Sequence, residues 1–304
     1  MGPLARLDIA FQKTIMFINN NTIRIALLSM LFFFAALAYS ISWYILDIFK
    51  DIACYNGNYA IELLFCGTYL GILGKHIIAT MISASAILPF AGLVYLVHNQ
   101  MENRSKKVLQ SISESMPGIF RIIIFRTGLV LLLFSPFILF LVFGGDIIAK
   151  YITETGRLTI QKLFMVDLII IPVSLAFGFI MMVLLEPVFQ YVEYEVLVSG
   201  LRVRDAIRNS YRIAMNNKKE TFISGFTFVA IWSALIFLKY LHMVNILLSV
   251  ALLAAVFVES FLIFPVRAIF LYFLWKDLRE ENVEKNVAGV MPATKSYLNK
   301  MLMG

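Results

Sequence analysis

The chain has 304 residues, 61% of them hydrophobic and 15% charged, with mean hydropathy +0.84 and a formal charge of +7. A water-soluble domain carries about 25% charged residues and could not hide this much apolar side chain. That excludes an ordinary soluble fold. It also makes the position of the basic residues more informative than their sum, because they are not gathered on one nucleic-acid-binding face.

In chain order, residues 4–18 come first. Leu4, Leu7, Phe11, Ile15 and Ile18 fall at helical spacing, predicting an amphipathic helix at the membrane surface that ends at Asn19-Asn20-Asn21. A disordered leader is the alternative. Six long apolar stretches follow, at about 23–46, 76–98, 119–143, 163–189, 219–239 and 243–274. Each reaches the roughly 20 residues a helix needs to cross a bilayer. The expected fold is therefore all-α: a polytopic membrane bundle of six spans. Ala36-Leu37-Ala38 has the form of a signal cleavage site, but the apolar run continues through Leu46, so cleavage is not expected. Residues 61–74, with Gly67, Gly71 and Gly74, read as a re-entrant or interfacial segment, or as an outward extension of the second span. Cys54 and Cys66 fall on the outer side, either bonded to each other or simply packed.

Of the 26 Lys and Arg residues, 20 fall in alternate connections. They cluster around Arg6 to Arg24, Arg104 to Arg126, Arg202 to Lys219, and Arg267 to Lys300. The positive-inside rule then places both termini in the cytoplasm and the chain in the cell membrane. Tyr95, Tyr191, Tyr194, Tyr272 and Trp275 would form the inner aromatic belt.

Pro89, Pro187 and Pro265 stand toward the inner ends of the even-numbered spans. Arg104 and Arg202 each lie fifteen residues beyond their proline, and Val108-Leu109 matches Ala206-Ile207 at the same offset of 98. One membrane domain, 1–304, therefore divides into a leading segment 1–22 and three hairpin units, about 23–118, 119–218 and 219–304. Each unit is two spans followed by a cytoplasmic amphipathic helix. In 201–215 the stripe Val203, Ile207, Tyr211 and Ala214 would lie on lipid or on the bundle. Arg202, Arg204, Arg208 and Arg212 would meet anionic headgroups at about 1 kcal/mol each, or serve only as topology anchors.

Ionisable residues inside spans cost roughly 2.5–3.5 kcal/mol each and mark the candidate site. They are Arg126, Glu186, Glu259 and Arg267. Glu186 placed between the two guanidiniums gives a buried network; Glu259, nearer the bilayer middle, has no partner that the sequence names. The arrangement serves either as a polar cavity for an ion, a proton or a headgroup, or as a salt bridge joining spans three, four and six. Asp167 and Lys162 read as interfacial. His76, His98 and His242 lack metal-ligand spacing, and no catalytic motif appears, so no catalytic residue, cofactor or metal is expected.

Three two-span units invite comparison with mitochondrial carriers, but the strings after Pro89, Pro187 and Pro265 lack that family's acidic and basic positions. The segment Arg204-Asp-Ala-Ile-Arg-Asn-Ser-Tyr-Arg-Ile-Ala-Met-Asn-Asn resembles the cytoplasmic linker of poorly characterised six-span prokaryotic membrane proteins. These include the membrane domain attached to some glycerophosphodiester phosphodiesterases, whose catalytic domain has no counterpart here. The resemblance implies six spans and no transferable activity. The expected role is non-enzymatic, in transport, assembly or envelope homeostasis. Its partners would be anionic lipid on the inner leaflet and a membrane protein or a second copy. Transport or lipid handling around Glu259 and Glu186 is the alternative, and an intramembrane enzyme the next.

Overall fold

A computed structural model describes residues 2–55, 86–104, 106–129, 132, 180–181, 183–241 and 249–282, with side chains outside 39–55, 236–241 and 249–252. The described residues are helical and contain no strand. In order they form α1 (Pro3–Tyr55), α2 (Ile87–Met101), α3 (Val108–Leu129), α4 (183–189), α5 (Val192–Leu197), α6 (Val203–Asn216), α7 (Lys218–Leu241) and α8 (Ser249–Val258). A π-turn, Glu259–Ile263, leads into α9 (264–282). Helix α1 is central and packs on α2, α7, α8 and the π-turn.

Three of these helices are long and apolar enough to cross a membrane: Pro3–Ala38, Val108–Leu129 and Leu253–Asn282. They leave Leu27, Phe34, Phe120, Phe257 and Leu262 each about half or more exposed. Such faces are costly in water and need lipid or another apolar partner. The segment 61–74, Cys66, His76, Lys162, Asp167, His242 and the outer parts of the third and fourth apolar stretches lie outside the described residues.

Local chemistry explains the breaks. In α1 the backbone leaves helical geometry at Asn21 (φ −129°, ψ 22°), where the Asn21 amide donates to the Phe17 carbonyl at 3.0 Å. The α6–α7 joint repeats this device at Asn217 (φ −131°, ψ 53°), whose amide donates to the Ile213 carbonyl at 3.1 Å. Both asparagines are buried. An Asn side chain can replace a lost helical partner locally, and so stabilises a bend. The π-turn has its own cause. Pro265 has no N–H for the Phe261 carbonyl and crowds it, so the ladder widens and the Phe264 N–H bonds the Glu259 carbonyl. Close helix contact is set by Gly225, where a Cβ would stand 2.8 Å from Pro187 Cγ and 3.1 Å from its Cα.

The core differs from the expected aromatic belt. Tyr191, Tyr194, Tyr272 and Trp275 are essentially fully buried. Tyr194 stacks on Trp275 (6.1 Å), meets Phe90 edge-on (5.8 Å) and donates to the Ala268 carbonyl at 3.0 Å. Their polar tips find partners inside the bundle, which removes the reason to sit at the lipid boundary.

Candidate functional site

The short α4–α5 segment carries three carboxylates, and each is spent on a neighbouring helix. Glu186, just before Pro187, forms an ion pair with Arg267 of α9. Glu193 takes a two-pronged contact from Arg126 of α3, at 2.6 and 3.1 Å. Glu195 is fully buried; it accepts from Trp275 Nε1 at 3.0 Å and lies 3.6 Å from Arg279 Nε. Both guanidiniums also face aromatic rings: Arg126 stands 5.6 Å from Phe90, and Arg267 5.7 Å from both Phe228 and Trp232. Helix α4–α5 is thus clamped between α3 and α9.

Electrostatics follow the pairing. Burial pushes the Glu193 carboxyl up, but Arg126 beside it more than offsets this and holds it below the usual carboxylate range. Burial raises the Tyr191 and Tyr194 phenols, so both stay protonated.

Two expectations change. Arg126 does not share Glu186 with Arg267, because α5 turns Glu193 toward it instead. Glu259, buried at the start of the π-turn, is not a carboxylate without a partner. Sequence reasoning overlooked Glu193 and Glu195 by treating 190–200 as a connection. Their closeness to Glu186 in the sequence was visible, but the turn at 190–191 breaks the helical register between them, so spacing alone did not say which helix each faces.

Helix α6 buries Ala206, Ser210, Ile213 and Ala214. The expected apolar stripe is therefore rotated: Val203 and Ile207 are half-buried shoulders and Tyr211 is exposed. Arg204, Arg208 and Arg212 occupy the outward face beside Tyr211, and Arg202 is also exposed. Among the described residues none of these four forms an ion pair. By contrast Arg6 pairs with Glu281 and, at 3.5 Å, with Glu220; Lys13 meets Asp277 at 3.0 Å. These contacts fasten the start of α1 to the end of α9.

Buried residues recur at a four-three-four spacing in several helices, including Asn217, Thr221, Ser224, Phe228 and Phe264, Ala268, Leu271, Trp275, as one buried helix face requires. The buried set Ala10, Thr14, Phe17, Asn21 in α1 has the spacing of Ser111, Ser115, Gly118, Ile122 in α3 and of Ala206, Ser210, Ile213, Asn217 from α6. In α1, α3 and α6 the residue after the buried hydroxyl is large and exposed: Ile15 (44%), Met116 (53%) and Tyr211 (54%). One difference stands against the expected pattern: α3 runs unbroken from Val108, so its first turns are not a separate surface helix.

Among the described residues no cluster of His, Cys, Asp and Glu is placed to hold a metal ion. No family model, no curated protein and no solved structure matches this chain.

Proposed function

We propose that this is a multi-pass integral protein of the cell membrane, with six spans in three hairpin units and both termini cytoplasmic. Its role is non-enzymatic, and it engages anionic lipid headgroups along its inner face. One observation carries the reading: α6 lays a small-residue face on the bundle and turns Arg204, Arg208 and Arg212 outward without carboxylate partners among the described residues. The shoulder of Ile207 and Tyr211 lies between those two faces, suited to the boundary of hydrocarbon and headgroup. The docking of Arg6 and Lys13 on α9 supports termini on one side. The likeness of 204–217 to linkers of six-span prokaryotic membrane proteins accords with this layout.

Three arginines at about 1 kcal/mol each give a preference for anionic over zwitterionic lipid of up to about a hundredfold at low salt. Spin-labelled phosphatidylglycerol and phosphatidylcholine, compared at the protein in nanodiscs, measure it. The R204Q/R208Q/R212Q variant is expected to lose most of that preference; an unchanged ratio overturns the reading. Transport through a polar site at Glu186 draws less support, since Arg267 already occupies that carboxylate.

A further inference from the structure

A groove of about 610 Å³ opens where the bend of α1 meets the turn after α2. Its lining contains Arg24, Arg104 and Lys106 and no carboxylate. The turn is built for this convergence. Asn103 adopts a left-handed conformation (φ 56°), its N–H bonds the Gln100 carbonyl at 3.0 Å, and the Arg104 N–H bonds the Asn99 carbonyl at 2.7 Å. This helix-ending pair of bonds reverses the chain and returns Arg104 and Lys106 to the groove. On the opposite wall, the bend at Asn21 presents the exposed amides of Asn19 and Asn20, neither of which makes a side-chain hydrogen bond to the described residues. Arg24 is half-buried and has no ion-pair partner among them. Arg104 does contact Glu102 at 3.0 Å, but both are exposed, so a better acceptor can displace that bond. Lys106 rests on Glu114, outside the lining.

We propose that this groove binds a phosphate-bearing anion. The guanidiniums of Arg24 and Arg104 and the amides on facing walls match the several acceptor oxygens of a phosphate ester, with Lys106 held beside them by Glu114. The volume lies within the range of small-ligand sites and equals roughly twenty waters, more than inorganic phosphate fills. The ester therefore carries an organic substituent, either a soluble phosphomonoester or the headgroup of a phospholipid. The site stands on residues separate from the arginines of α6.

The test uses the full-length protein in phosphatidylcholine nanodiscs. In one arm sn-glycerol 3-phosphate is titrated calorimetrically; in the other, phosphatidylglycerol is added to the discs and its retention is read by native mass spectrometry. Wild type and R24K are expected to bind in one arm, which identifies the source as soluble or lipid. R24Q is expected to bind roughly tenfold more weakly there. N20D changes an exposed amide to a carboxylate of the same shape, so it tests repulsion without burdening the fold, and it is expected to weaken binding similarly. Absence of binding in both arms overturns the proposal. So does wild-type affinity in R24Q and N20D, including the case in which the R204Q/R208Q/R212Q variant alone loses it.

Discussion

Replacing Arg126 with Gln tests the clamp between α3 and α5. The guanidinium makes two contacts to Glu193, at 2.6 and 3.1 Å, with side-chain exposures of 34% for Arg126 and 14% for Glu193. Removing one partner of a fully buried pair costs about 3–5 kcal/mol, because the other charge is stranded. Here the arginine end is a third open, which lowers the expected cost to about 2 kcal/mol. Glu193→Gln is expected to cost less, about 1 kcal/mol, since the remaining guanidinium can turn outward along its exposed side. In the double variant no charge is stranded, so its loss falls short of the sum by about 1–2 kcal/mol. Reversible unfolding of the four proteins in mixed micelles, driven by increasing dodecyl sulfate, measures this coupling. Losses that simply add, within about 0.5 kcal/mol, refute a direct Arg126–Glu193 interaction.

The same pair gives a pH dependence. Glu193 is held below its ordinary pKa in the folded protein, so its contribution is present at neutral pH and fades as pH falls through the lowered folded value. Thermal stability in detergent from roughly pH 5 to 3 should decline more steeply in wild type than in E193Q; parallel profiles contradict this. Gly225→Ala drives a methyl into Pro187 and should cost about 1–3 kcal/mol. Gly128→Ala, at a position with open space, should be nearly neutral, and equal melting temperatures for the two variants argue against close α4–α7 packing. Tyr194→Phe leaves the Ala268 carbonyl without its 3.0 Å donor and should cost about 1–2 kcal/mol by the same micelle assay.

The sequence discloses what depends on composition and local period. Apolar length marks the helices long and apolar enough to cross a membrane, and the arginines of α6 show themselves as one outward face. Glu186 and Arg267 could be paired by depth alone. Arg126 could not, because its choice of Glu193 depends on the rotation of α5 after the turn at 190–191. The aromatic residues misled for a similar reason: Tyr and Trp suit a lipid boundary equally well until Ala268 and Glu195 supply partners inside.

The central claim is that lipid surrounds this chain, with the start of α1 and the end of α9 on one face of the membrane. Single cysteines at the exposed positions Gln12 and Glu280, in a background with Cys54 and Cys66 changed to Ser, test it directly with a membrane-impermeant maleimide. In inside-out vesicles both sites should label, and in intact cells neither should. Labelling of the two from opposite faces, or recovery of the protein in the soluble fraction without detergent, contradicts the account.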